Sequence, residues 1–183
     1  MATDLGSKRL ALLHELLPGA KRIAVLYNPV DPVTEPQIRE VKAAVPKLGV
    51  ELRFYTVKTP AGLPDTFNTL LEWRAQGAIW LFGQHQSYQT GTIALAAKHN
   101  LPVMVGGLLD VEAGGLLGFS ANFAEMYKRT ASHVDKILKG VKPGDLPVEQ
   151  PTQFELAVNL KTAKALGIKV PQSILIQATK VIE

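Results

Sequence analysis

The stretch Arg22-Ile23-Ala24-Val25-Leu26-Tyr27-Asn28-Pro29-Val30-Asp31 decides how the rest of this chain reads. Ile23, Ala24, Val25 and Leu26 form a continuous apolar run, the pattern of a strand buried on both faces. Pro29 has no N–H to give to a sheet ladder, so the strand ends at Asn28. A helical pattern starts near Thr34, which makes residues 27–34 a strand-to-helix loop. Open α/β sheets hold ligands in the loops beyond the carboxyl ends of their strands. This loop is therefore the first candidate site.

Working outward, the same alternation repeats. An amphipathic helix over 5–17, stopped by Pro18-Gly19, precedes the strand. A helix over 34–48 follows it, with its last turn expected to be distorted at Pro46 and closed by Gly49. Further strands are expected over 50–57, 78–82, 101–105 and 116–120, and helices over 61–75, 88–99 and 123–139. Residues 111–115 read as a turn, with Gly114-Gly115 leading tightly into the next strand. The last of these helices should turn Met126, Val134, Ile137 and Leu138 inward and close at Gly140. Pro143, Gly144, Pro147 and Pro151 then break the rhythm. Beyond them lie a strand over 154–160, a short helix over 161–166 and an amphipathic helix over 171–182.

Strands alternating with helices define a three-layer α/β/α fold around an open, mostly parallel, Rossmann-like sheet of about five to six strands. The division expected is a sheet lobe over 1–140, a Pro-rich connector over 141–152, and a returning strand and helices over 153–183.

Composition excludes several functions. The net charge is only +4, with no Lys/Arg block and no aromatic-interleaved basic stripe, so no nucleic-acid partner is expected. The absence of Cys removes disulfides, thiolate chemistry and Cys-based zinc sites. No apolar run reaches membrane-spanning length, and Met1-Ala2-Thr3-Asp4 leads into a helix without a signal peptide's apolar core. As written, the chain reads as cytoplasmic.

Catalytic motifs are missing too. His14, His99 and His133 fall in helical patterns, and none is spaced from another as a helical zinc pair. His85 and Ser87 leave a strand end together, but no G-x-S-x-G elbow surrounds them. Phosphate-binding glycine loops are absent, and Asp31, Glu35, Asp110 and Glu112 offer no acid/base pair. No cofactor or metal is expected. What remains is a polar rim at three strand ends: Tyr27-Asn28 with Thr34, Gly83 to Ser87, and Gly106-Gly107 with Asp110. Uncharged two-way hydrogen-bonding groups of this kind suit reversible recognition.

Two stretches carry a family resemblance. G-S-K-R-L-A-L-L-H-E-L-L-P-G-A-K-R-I-A-V-L-Y-N-P over 6–29 resembles the middle of ABC transporter solute-binding proteins with a type I periplasmic-binding fold. The run from Leu95 to Pro171 resembles the C-terminal half of that family nearly end to end, through L-A-A-K-H-N-L-P-V-M-V, V-E-A-G-G-L-L-G-F-S-A-N and G-V-K-P-G-D-L-P-V-E-Q-P. Such proteins clamp a small molecule between two lobes, and this chain resembles the C-terminal lobe alone. Met1 stands where a signal peptide and an N-terminal lobe would precede Leu5.

The resemblance implies a non-enzymatic binding module located outside the cytoplasm, an amino acid (aromatic ones included) as solute, and an ABC permease as partner. It makes Tyr27, Asn28 and Thr34 one wall of the site, Gln84 and Ser87 the next, and Gly106 and Asp110 the third. It also places the helix over 123–140 against the other lobe. In the lobe alone, that helix is expected to fold back on the sheet or to dimerise with a second copy. The side chains of residues 27–29 should face solvent or that copy, with no enclosed pocket. Two alternatives stay open: a small flavodoxin-like or hydrolase-like enzyme using the strand-end loops, and a folding unit that binds nothing.

Overall fold

The computed structural model describes residues 5–81, 83 and 86–183, with 86 and 87 described by backbone only. Its centre is β1 (Arg22–Tyr27), whose four middle residues are all buried. β1 pairs in parallel with β2 (Glu51–Thr56) on one side and β3 (Gly77–Trp80) on the other, so Val25 lies between Phe54 and Ile79. β4 (Val103–Val105) and β5 (Leu117–Ala121) continue the parallel sheet. β6 (Phe154–Asn159) runs antiparallel to β5, and β7 (Lys180–Ile182) runs parallel to β6. The sheet therefore has seven strands in the order β2-β1-β3-β4-β5-β6-β7, one more than the upper expectation.

Period-two alternation along β1 sorts the core into two layers. Ile23 and Val25 face one apolar cluster, with Leu10, Leu13 and Leu16 of α1 (Gly6–Leu16) and Ile38 and Val41 of α2 (Thr34–Leu48). Ala24 and Leu26 face the other, with Phe67 and Leu70 of α3 (Leu63–Glu72) and Ile93 and Ala96 of α4 (Gln86–Lys98). α2 thus leaves β1 toward one face and α4 leaves β3 toward the other. The crevice between β1 and β3 is a topological switch point, where open α/β sheets place their ligands.

Several expectations need correction. α2 is not among them: it runs through Pro46 to Leu48 and closes at Gly49 in the left-handed conformation, as expected, because a proline in the last turn removes one hydrogen bond without stopping the helix. Leu108–Glu112, whose last two residues read as part of a turn, is a short helix, α5, followed by Gly114 at φ 114. The C-terminal amphipathic helix is only α8 (Gln172–Gln177). It stops because Thr179 joins the sheet: its N–H donates to Leu156 O at 2.8 Å, and its hydroxyl accepts from Leu156 N at 3.1 Å. The residues that follow become β7.

The largest departure is α6 (Phe123–Leu138). Asn122 caps it by accepting from Glu125 N, but none of its residues is buried. Val134 is 49% exposed and Leu138 82%, so the apolar stripe faces away from the sheet instead of inward. α6 also does not fold back onto the sheet. Its company is the Pro-rich segment, held by Arg129 donating to Glu149 at 3.1 Å and to Thr152 at 2.8 Å, with His133 at 3.6 Å from Glu149. Between them the short helix α7 (Leu160–Ala165) and β6 return the chain to the sheet, and Asn159 ties them to α5 by donating to Val111 O at 3.0 Å. No helix among the described residues is long and apolar enough to cross a membrane.

Candidate functional site

The carboxyl ends of β1, β3, β4 and β5, with the incoming end of β6, gather the polar residues. The loop after β1 is folded in on itself, and Asn28 and Asp31 are each only 6% exposed. This overturns the expected exposure at Asn28, while Pro29 is exposed as expected. The cause is local. Asn28 Oδ1 accepts from Val30 N and Asp31 Oδ1 from Val33 N, both at 3.1 Å, the side-chain-to-backbone turns that Asn and Asp favour. The Thr34 hydroxyl then donates to Asn28 O at 2.9 Å. Thr34 is therefore committed to shaping the loop. Asn28 Nδ2 is buried with no hydrogen-bond partner. Asn28, Asp31, Thr34 and Gly83 line a cavity of about 10 Å³ beside Trp80 and Tyr88.

The opening of α4 forms the facing side. Tyr88 stacks on Trp80 with ring centroids 5.9 Å apart and donates its hydroxyl to Lys58 O at 2.9 Å, pinning the helix to the sheet. Gln84 and His85 lie outside the described residues, as does the side chain of Ser87. One turn on, Gln89 is buried in α4. With its amide nitrogen turned toward α5, it donates to both carboxylate oxygens of Asp110.

Asp110 also accepts from Gly107 N at 3.2 Å. Burial pushes its carboxyl above the ordinary carboxylate value, while the Gly107 amide, the Arg9 charge and the Gly106 amide pull the other way. Asp110 opens into a groove of about 560 Å³ shared with Gly83, Gln89, Gly107, Ser120 and Glu155, and walled by Leu108, Leu109, Phe123 and Tyr127. Among its described lining residues are two carboxylates and no Lys or Arg. A second groove of about 450 Å³ lies between α6 and the Pro-rich segment and shares none of its lining residues with the groove of Asp110.

Beneath the groove lies a residue that sequence reasoning missed. Arg9 of α1 is fully buried. Its Nε donates to Phe119 O at 2.8 Å, Nη1 to Gln37 Oε1 at 3.1 Å and Nη2 to Gly106 O at 3.3 Å. One guanidinium thereby ties the ends of β4 and β5 to α1 and α2. Desolvation lowers its pKa to about 10, partly countered by Asp110, so it stays charged at neutral pH. A signal existed: Arg9 continues the helical stripe Leu12, Leu13 and Leu16, and Gln89 continues Thr92, Ile93 and Ala96, every one of them buried. A polar residue placed on a core stripe needs a buried partner.

Of the seven residues expected at the site, the structure brings Asn28 and Thr34 to the small cavity and Asp110 to the groove. Tyr27 is half-buried against the α1–α2 core, and Gly106 contributes its carbonyl to Arg9. Among the described residues no cluster of His, Asp or Glu could hold a metal ion.

A mostly parallel, helix-flanked sheet with its polar groups gathered at one end is the architecture of a periplasmic-binding-protein-like lobe. The chain belongs to the ABC transporter substrate binding protein family, whose model matches residues 3–182. Members of that family are substrate-binding proteins and not enzymes. No curated protein matches the chain significantly.

Among solved structures it is similar to a conserved domain protein from Vibrio cholerae, at 26% identity and a TM-score of 0.86, covering 96% of this chain and 60% of that one. It is also similar in fold to an ABC domain from Streptococcus pneumoniae in complex with L-Trp, at 24% identity and a TM-score of 0.85, covering 97% of this chain and 62% of that one. A ligand-free, open substrate binding protein with adhesive properties from Clostridium difficile has a TM-score of 0.70 at 24% identity, covering 96% and 59%. The chain therefore spans about 60% of the length of the structures it matches.

Proposed function

We propose that this chain forms one wall of the solute cleft of an ABC importer's receptor, and that the solute is a free amino acid with an apolar or aromatic side chain. The observation that carries this reading is the open groove at the strand ends, where Asp110, Gln89 and Glu155 face Leu108, Leu109, Phe123 and Tyr127. Membership of a substrate-binding family supports it, as does the L-Trp held by the Streptococcus neighbour. Asn28, Gln84, Ser87 and Asp110 are the solute-contacting residues in this reading, and the protein acts as a carrier outside the cytoplasm that delivers to a membrane permease. Binding is reversible and no bond is made or broken.

The test is a thermal-shift titration of the chain with L-tryptophan and other free amino acids, with a two-lobed homologue as control. The two-lobed protein should be stabilised several-fold above its dissociation constant, since binding to the folded state alone adds stability by mass action. The single wall should respond more weakly, each 1.4 kcal/mol of lost contact costing about tenfold in affinity. A two-lobed homologue indifferent to every amino acid would sink the reading.

The apolar face of α6 belongs to the same proposal. In a two-lobed receptor it packs on the opposite lobe. In this chain alone it is free to pair with a second copy, because exposed contiguous apolar surface favours association. Light scattering of the unsubstituted chain should show self-association. Met126→Glu combined with Ile137→Glu should yield a monomer with stability changed by less than about 1 kcal/mol, since no α6 residue is buried. A strict monomer before substitution would contradict the pairing.

A further inference from the structure

Resting on the reading of the strand ends as a solute wall, we infer that Gln37 is a positioning residue: through the buried Arg9 it registers the loop after β1 against the ends of β4 and β5, so that the wall moves as one body.

Gln37 is 1% exposed and continues the inward stripe of α2 with Thr34, Ile38, Val41 and Ala44. A polar side chain on such a stripe needs buried partners, and the Gln37 amide uses both of its ends. Oε1 accepts from Arg9 Nη1 at 3.1 Å, and Nε2 donates to Val33 O at 3.0 Å. Val33 immediately precedes α2, and its own N–H donates to Asp31 Oδ1 at 3.1 Å, which fixes the turn of the β1 loop. Thr34 beside it donates to Asn28 O at 2.9 Å. On the other side of Gln37, the same guanidinium donates to Gly106 O at 3.3 Å and to Phe119 O at 2.8 Å. Gly107, the next residue, donates to Asp110 at 3.2 Å.

The sheet alone does not make this connection. β1 and β4 are not neighbours, because β3 lies between them. Loops at separate strand ends keep a common register only where something rigid spans them. Here that span is a planar cation with one hydrogen bond to each side and one to Gln37. Hydrogen bonds to a charged donor are about twice as strong as neutral ones, and in a low-dielectric interior the members of a network polarise one another. Gln37 lines neither the groove of Asp110 nor the small cavity of Asn28, so it acts on a solute only through the loops that it holds.

Amide hydrogen exchange on the full chain, with no solute added, tests the coupling. Gln37→Met keeps the length of the side chain and removes both hydrogen bonds. Exchange at Val33 and Thr34 should rise about tenfold, the order expected for one lost buried hydrogen bond. The sheet amides of Val25 and Ile79 should change only by the common factor that reports global stability. Gln37→Glu keeps an acceptor for Arg9 and loses the donor to Val33 O, so it should loosen Val33 and Thr34 while sparing Gly107. The decisive comparison adds Gly107→Ala, whose Cβ would lie 2.9 Å from Ser120 Oγ and so displaces the far loop. Gly107→Ala should change exchange at Val33 and Thr34 by about threefold in wild type and by nothing measurable in Gln37→Met. Calorimetry with L-tryptophan reads the consequence for the wall, where Gln37→Met should weaken binding by about tenfold.

A uniform rise in exchange, with the response to Gly107→Ala retained in Gln37→Met, would overturn the inference and leave Gln37 a packing residue. Unchanged L-tryptophan affinity in Gln37→Met would overturn its positioning role. Local coupling with no L-tryptophan binding, by this chain or by a two-lobed homologue, would uphold the register and overturn the solute reading instead.

Discussion

Replacing Arg9 with Leu should destabilise the fold by about 3–5 kcal/mol, the range for breaking a buried charged network by removing one partner. The substitution strands Phe119 O, Gly106 O and Gln37 Oε1 in the interior, each of which now accepts from the guanidinium. A buried acceptor left without a donor costs about 1–3 kcal/mol. For a chain of this size the melting temperature should fall by about 10 °C or more. Arg9→Lys should not restore it. A lysine ammonium is a point charge on a flexible stem and cannot reproduce the planar fork that reaches two strand ends and α2 at once. The pKa shift pulls the other way, and the hydrogen bonds must outweigh it. Burial lowers the Arg9 pKa to about 10, so holding the charge inside costs stability at every pH below that value, and the three acceptors offset the cost. A melt unchanged by Arg9→Leu would mean that the network is incidental.

Gly118→Val should have the second largest effect. A Cβ at Gly118 in β5 would lie 2.7 Å from Val111 Cγ2 and 2.8 Å from Gly107 O. The second of these is backbone and cannot rotate away. Overpacking a tight core costs about 1–3 kcal/mol and sometimes more, and the branched side chain belongs at the upper end. The consequence reaches the site, because Gly107 donates to Asp110 and α5 carries it. Solute affinity should therefore fall along with the melting temperature. Gly118→Ala should give a smaller loss of both. Parallel melts and solute titrations of the two variants check this, and loss of stability with full affinity would separate β5 packing from the site.

How far the sequence speaks can be judged from these same residues. The apolar run of β1, the doubly buried β3 and the glycine stop at Gly49 are local signals, and each predicts its element and its place in the sheet. β7 is not local. Its residues fit a helical stripe in isolation, and they become a strand because Thr179 bonds Leu156 more than twenty residues away in sequence. α6 fails in the opposite way. Its stripe is correctly helical, but periodicity shows that a face is apolar and not what covers it. For the candidate site, the strand-end rule singled out Asn28 and Asp110, which line the small cavity and the groove. It passed over Arg9 and Gln89, whose polar side chains in helices look like surface residues until the core stripe they share is counted. The expected exposure of Asn28 failed for another reason: the side-chain turns at Asn28 and Asp31 bury those two residues without help from a second lobe, while Pro29 and Val30 stay exposed.

The central claim is that the strand-end loops form the solute wall. Amide chemical-shift mapping tests it most directly, with L-tryptophan titrated into the isotopically labelled chain. Shifts should concentrate at Asn28, Gly83, Gly107 and Asp110, with none in the groove between α6 and the Pro-rich segment. Saturable shifts confined to that groove, around His133 and Val148, would contradict it.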